Sequence, residues 1–337
     1  MRLYLDKVVR GENLTELEAE SAMAVIMAGG ATPSQIAAFL IGLKMKGESL
    51  EEVIGLARAA RVAMLTLPTR VDLLDVVGTG GDGLGTFNIS TVAAIVIAAG
   101  GVMVAKHGNR AASSRCGSAD VLGELGVEVD LNAIGVGSCL EEVGIAFLYA
   151  PRFHPAFSYA APVRRELGVP TVFNLLGPLC NPARPTYQVT GVTSPRLVDL
   201  VAEALARLGL ERVVVYCGVG GMDELSSVGP AQVTEILDGQ RKSYLLDPAE
   251  LGLAPASVDE LAGGDRRRNA EITRQLLHGA RGAGRDAVLL TAAAGFRAAG
   301  MVTDWPEGIS LAAATIDSGR AEILLERWIN SCPSDRI

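Results

Sequence analysis

Through the first 65 positions the apolar residues recur at helical spacing, with Ile36, Phe39, Leu40 and Leu43 on one face. The punctuation between them agrees. Thr15…Glu18, Thr32…Gln35 and Ser49…Glu52 each have capping-box spacing, in which a side-chain hydroxyl and a carboxylate or amide satisfy each other's backbone donors. Pro33 falls at a first helical position, and Gly29-Gly30 and Gly47 follow predicted helix ends. The pattern predicts a helical lobe, with helices over 15–28 and 33–46, whose apolar face must be buried on the rest of the chain or on a second subunit.

From Val71 the period changes. Short Val- and Leu-rich runs at 73–77, 102–105, 145–149, 187–192 and 213–216 read as strands. Helical stretches at 91–99, 119–125, 133–143 and 195–208 lie between them. Such alternation predicts an α/β fold: a small helical domain plus a larger α/β domain with a mostly parallel central sheet flanked by helices. Residues 232–246, broken at Asp238-Gly239, read as a hairpin. Two further helices, near 270–277 and 311–328, close the chain. Residues 151–185 interrupt the alternation with seven Pro and a helical stretch around 158–167. That segment reads as a crossover returning to the helical lobe. The expected division is therefore 1–66 plus about 160–184 for the helical domain, and 71–159 plus about 185–337 for the α/β domain, with a hinge at the two linkers.

Composition narrows the class. The 337 residues are 49% hydrophobic, which supplies a large core, and only 20% charged. With 30 Lys+Arg against 38 Asp+Glu the net charge is −8, which argues against a nucleic-acid surface but leaves room for a local phosphate pocket. Five widely spaced Cys without a CxxC pair argue against a disulfide framework and a zinc site. The longest apolar run, 91–105, is too short to span a membrane, and the charged N-terminus holds no signal-peptide core. A soluble cytoplasmic protein is expected. The 39 Gly cluster where the backbone must turn or approach something closely.

Four clusters carry chemistry. Gly78-Thr79-Gly80-Gly81-Asp82-Gly83 follows the first strand and leads to a helix start at Asn88-Ile89-Ser90-Thr91, an arrangement that lets backbone N–H groups and a helix dipole meet an anion. It has neither Walker nor GxGxxG spacing, and Asp82 points to a sugar hydroxyl or a metal-bridged anion. Lys106-His107-Gly108-Asn109-Arg110, with Ser113, Ser114 and Ser118, follows the second strand and suits a second phosphate; a solvated loop with Ser118 as helix cap is the plainer alternative. Asp223-Glu224, on the Gly-rich loop from Gly218, suits Mg²⁺, although such a pair is as commonly a solvated turn. In the crossover, His154, Arg164, Arg165, Asn174 and Pro178 offer a carboxylate clamp and walls for a planar ring, against the alternative of a surface helix and a core histidine. No Ser-His-Asp, HExxH or Cys-His pattern stands out.

The ordered set GTGGD, NIST, KHGNR…SS…GSAD, HPA…APVRRELG, NLLGPLCNPA and GMDE closely resembles the anthranilate phosphoribosyltransferase family, over essentially the whole chain. The resemblance implies transfer of a phosphoribosyl group from phosphoribosyl pyrophosphate to anthranilate in tryptophan biosynthesis, with Mg²⁺ as cofactor and a homodimer formed through the helical domains. It assigns Gly78, Gly81, Asp82, Thr86, Asn88, Ile89, Ser90 and Thr91 to pyrophosphate and ribose. Lys106, His107, Gly108, Asn109, Arg110, Ser113, Ser114 and Ser118 go to the phosphoribosyl pocket. Gly78, Asn109 and Arg164 go to anthranilate, with His107, His154 and Pro178 along the same route, and Ser90, Asp223 and Glu224 to the metal. Cys116, Gly123 and Tyr216-Cys217 depart from the family's usual residues without touching these positions. A pyrimidine nucleoside phosphorylase, whose loop reads KHSGR, and a non-catalytic nucleic-acid-binding relative are the rival readings.

Overall fold

A computed structural model describes residues 1–69, 71–111 and 115–331. Helices α1 (Arg2–Val9), α2 (Glu16–Met27), α3 (Pro33–Lys46) and α4 (Leu50–Val62) form the N-terminal lobe. All three capping boxes close as their spacing predicts. Glu52 does more than cap. Buried, it accepts from Ser49 N and Leu14 N and pairs with Lys46, so one carboxylate fixes three segments. Gly55 lets α4 approach α2, because a Cβ there would collide with the Glu16 carbonyl.

The larger part alternates β1 (Leu74–Gly78), α5 (Ile89–Ala99), β2 (Val104–Gly108), α6 (Ser118–Leu125), α7 (Ala133–Val143) and β3 (Ile145–Tyr149). The crossover holds α8 (Ala150–Phe153), a 3₁₀ turn (Pro155–Tyr159), α9 (Ala161–Leu167) and α10 (Val172–Leu179). Then come β4 (Tyr187–Gly191), α11 (Pro195–Arg207), β5 (Arg212–Cys217), β6 (Ala231–Leu237) and β7 (Gln240–Leu246). The seven strands run in the order β3-β2-β1-β4-β5-β6-β7, parallel through β5 and antiparallel beyond it. The β6–β7 turn is Asp238-Gly239, both at positive φ, as a tight hairpin requires.

Two apolar cores lie on the two faces, and β5 divides between them residue by residue. Val214 and Tyr216 enter the core of the α/β sheet, α5 and the C-terminal helices. Val213, Val215 and Cys217 enter a second core with α2–α4, α10 and α11. Alternate side chains of a strand face opposite ways, so a strand buried on both sides reads as an unbroken apolar run.

Two expectations need correction. The second strand lies at 104–108 rather than 102–105, so Lys106 and His107 are strand residues and not loop residues. Four helices close the chain instead of two: α12 (Arg266–Leu277), α13 (Ala283–Ala298), α14 (Trp305–Asp317) and α15 (Arg320–Ser331), the last two parted by Gly319 at φ +77°. Cys180 and Cys217 are buried free thiols. Among the described residues no helix is long and apolar enough to cross a membrane.

Candidate active site

The strand order reverses between β1 and β4, where Gly78 and Gly191 stand opposite each other at the carboxyl ends of their strands. A parallel sheet opens a crevice for ligands at that point. Both glycines are needed, because a Cβ at Gly78 would meet the Asp223 carboxylate and one at Gly191 the Asp223 carbonyl. The loop after β5 is thereby drawn down over the end of β1.

Asp223 and Glu224 are each only 8% exposed, so the pair is not a solvated turn. Asp223 Oδ2 accepts from Gly80 N at 2.6 Å, and Glu224 Oε1 accepts from Ser90 N at 3.2 Å. Burial and the neighbouring Asp82 push the Asp223 carboxyl up to about 7. Glu224 is raised well above the usual range, by burial and by Asp223, with Lys106 pulling the other way. Two carboxylates therefore occupy N–H groups of the glycine loop and of the α5 N-terminus. The anion cradle expected there is present but filled by the protein's own carboxyl groups. Of the other α5 donors, Ile89 N bonds Phe87 O and Thr91 N bonds Asn88 O, so neither N–H is open to a phosphate. Ile89 and Thr91 are also buried, and the Thr91 hydroxyl has no hydrogen-bond partner among the described residues.

Three carboxylates in one crevice invite a cation. Glu224 Oε2 and Asp82 Oδ2 are buried without a hydrogen-bond partner, and Ser90 Oγ lies beside Lys106 Nζ at 3.3 Å. Among the described residues no three His, Cys, Asp or Glu side chains form a ready cage. Mg²⁺ needs none: it takes hard oxygen ligands, commonly one or two carboxylates completed by phosphate oxygens and water. The donor set fits that ion.

Lys106 is buried beneath the crevice, donating to Val76 O at 2.5 Å, between Asp75 and Glu224. Asp75 had no part in the sequence reading. It is fully buried, pushed up to about 6 by burial against the pull of Lys106, and accepts from His107 N and Asn181 Nδ2. Asn181 also donates to Ala105 O, fastening the end of the crossover to β2. A lone Asp in the run Leu73-Leu74-Asp75-Val76-Val77 was its available signal.

The crossover reaches the site by two routes. His107 Nδ1 lies 3.2 Å from Gly177 O, and His107 Nε2 lies 3.2 Å from His154 Nε2. A Cβ on Gly81 would stand 4.0 Å from Asn174 Nδ2. From His154 an aromatic line continues through Phe157, stacked at 4.7 Å, to Phe173, edge-on at 5.4 Å. Arg164 ends it, its guanidinium 4.8 Å from the Phe173 ring centre. The half-buried Arg164 side chain makes no hydrogen bond or ion pair among the described residues, whereas Arg165 is exposed. Burial pushes His107 down to about 3 and His154 to about 4, so both are neutral near pH 7. Phe157 and Phe173 were not legible as site residues, since nothing in their spacing separates a wall from a core.

Beyond Gly108, Asn109 and Arg110 are exposed at the end of β2, with Arg110 5.9 Å from the Tyr149 ring centre. Asp120 Oδ2 accepts from both Ala111 N and Gly117 N at 2.9 Å, cinching the loop between them. Ser118 is the first residue of α6 and Gly117 its cap; Ser118 Oγ donates instead to Asn109 O. Thr86 bridges to Ala262, and Pro178 lies in the last turn of α10. Ser113 and Ser114 lie outside the described residues.

Two family models match: the helical bundle domain of a glycosyl transferase family over residues 2–64, and the α/β domain of a glycosyl transferase family over residues 70–322. The chain is 54% identical over 319 residues to anthranilate phosphoribosyltransferase 2 of Streptomyces coelicolor, covering 94% of this chain and 95% of that one. It belongs to the anthranilate phosphoribosyltransferase family. The family's enzyme from Thermus thermophilus superposes with TM-score 0.93 at 48% identity, over 98% of this chain and 99% of that chain. Anthranilate phosphoribosyltransferase from Saccharomyces cerevisiae, solved in complex with phosphoribosyl pyrophosphate and Mg, superposes at 0.90 and 30% identity, over 98% and 97%.

Proposed function

We propose that this chain moves the 5-phosphoribosyl group of phosphoribosyl pyrophosphate onto the amino group of anthranilate, releasing pyrophosphate, in tryptophan biosynthesis. The observation that carries the reading is the buried Asp223–Glu224 pair, seated on Gly80 N and Ser90 N where the strand order reverses. Asp223, Glu224 and Ser90 would hold Mg²⁺. Bound there, the ion supplies positive charge for the departing pyrophosphate, and such electrostatics is usually the largest catalytic contribution.

The remaining work falls to the chain. With Asp223 and Glu224 holding the ion, Gly80 N and Ser90 N would be available to the donor's phosphate oxygens. Asn88, Lys106, Asn109, Arg110 and Ser118 would surround the phosphoribosyl end. Arg164 takes the anthranilate carboxylate, and neutral His107 and His154 with the Phe157–Phe173 wall orient its ring. The aromatic amine is uncharged near pH 7, so the attack at C1 of the ribose needs alignment more than a base. Residues 1–66 with about 160–184 would act as one lobe and the remainder as the other, closing on the substrates to exclude competing water. The reading carries with it a cytoplasmic homodimer.

The test replaces the metal pair. Asp223→Asn with Glu224→Gln keeps the size and most hydrogen bonds but removes the charge. We expect most turnover and its Mg²⁺ dependence to vanish while circular dichroism is unchanged. A variant with ordinary turnover and metal response overturns the assignment.

A further inference from the structure

We infer that Asn269, on α12 and remote in sequence from every motif above, is a positioning residue for the donor pocket. The inference rests on the function just proposed. Asn269 is 2% exposed. Its Oδ1 accepts from Gly264 N at 2.7 Å, and its Nδ2 donates to Asn88 Oδ1 at 2.9 Å. Asn88 Nδ2 in turn donates to Cys116 O at 3.1 Å. The chain of bonds has one direction, from the backbone before α12, through two amides, to the turn that opens α6. It joins the first residues of the glycine-loop helix to the end of the KHGNR…GSAD segment, the two stretches assigned to the donor.

The surroundings hold Asn269 in place. Gly263 N bonds Gly85 O, Phe87 N bonds Leu261 O, and Thr86 pairs with Ala262, so the strip before α12 is laid along the glycine loop. Gly263 permits this, because a Cβ there would stand 2.8 Å from Asn269 Oδ1 and from Phe87 Cα. The Cys116 thiol donates to Gly117 O at 3.6 Å, holding the turn that receives the Asn88 amide. Asn88, although the cap of α5, makes no side-chain capping bond; its amide is committed to this relay.

Asn269→Asp tests the polarity. The carboxylate keeps an acceptor for Gly264 N but cannot donate to Asn88. Asn88 must then reverse its amide and present an oxygen to the Cys116 carbonyl. We expect the Michaelis constant for phosphoribosyl pyrophosphate to rise about tenfold, as for one buried hydrogen bond lost. That for anthranilate should change less than twofold. If Asn269→Asp melts more than a few degrees lower, Asn269→Ser carries the test at a temperature where it is folded, its hydroxyl being too short to bridge Gly264 N and Asn88 at once. Unchanged constants, or equal rises for both substrates, overturn the relay. A wild type without turnover of the two substrates overturns the functional reading instead.

Discussion

Arg164 is a cation kept half-buried over an aromatic ring with no anion among the described residues to answer it, and burial lowers its pKa. Such a group is costly unless something else supplies the charge. With anthranilate's carboxylate as that partner, Arg164→Ala should raise the Michaelis constant for anthranilate roughly ten- to a hundredfold, the worth of about 1.5–3 kcal/mol for a charged hydrogen bond. The constant for the donor should hardly move; steady-state kinetics with each substrate varied in turn decides it. His107 and His154 make a different kind of prediction. Their folded pKa values, about 3 and about 4, lie below the ordinary value of 6.5. The unfolded chain therefore takes up protons first as the pH drops, and stability held above pH 6.5 is lost between there and pH 4. Replacing His154 with Phe should flatten that acid limb in melting curves taken from about pH 7.5 to about 4.5. At this scale the sequence named the residues but not their states. His154 could be singled out from HPA, yet its burial against Phe157 and its pairing with His107 join residues 47 positions apart.

Elements whose signals are local were legible, and those whose signals are tertiary were not. Thr15, Thr32 and Ser49 announce their helices because a capping box is complete within four residues. Helix α13 announces nothing: Ala287 to Phe296 are all buried, and a helix apolar on every side has no period to read. The strand at β2 slipped by two residues because Lys106 and His107 read as loop, although the fold buries both by giving them Val76 O and Gly177 O as partners. The segment from Asn109 to Asp120 shows the same limit. Its Ser and Arg residues attract notice, whereas Asp120 does the holding. That carboxylate's pKa is lowered, because the N–H groups of Ala111 and Gly117 outweigh the opposing effect of burial. Asp120→Ala would leave both donors unmet and free the loop ends. We expect a melting temperature several degrees lower and a raised Michaelis constant for the donor, with anthranilate little affected, since Arg164 and the aromatic wall lie on the crossover.

At the scale of the molecule, the helical lobe leaves apolar surface uncovered. Leu3 and Val9 on α1 are 81% and 74% exposed, and Met45 near the end of α3 is 83% exposed. These are not scattered. Helices α1 and α3 pack at a close crossing, where a Cβ on Gly42 would strike Val8, and Val9 and Met45 sit at its margins. Elsewhere in the lobe Phe39, Leu40, Leu43 and Ile54 are inaccessible, while Leu17 on α2 and Val62 on α4 are exposed singly. Single exposed apolar residues need no partner, but apolar side chains flanking one helix crossing form a patch that a partner would cover. A second copy meeting the first through α1 and α3 would do so, and a stable pairing needs about 1,200–2,000 Å² in total. Light scattering at micromolar concentration should then give twice the chain mass. Val9→Glu with Met45→Glu should return it to one chain, because like charges facing each other across a two-fold interface repel. The crevice at the strand ends is built from other elements, so turnover per chain should survive at low temperature while the melting temperature falls. A wild type of single-chain mass at that concentration, or a double variant that stays paired, removes α1 and α3 from the interface.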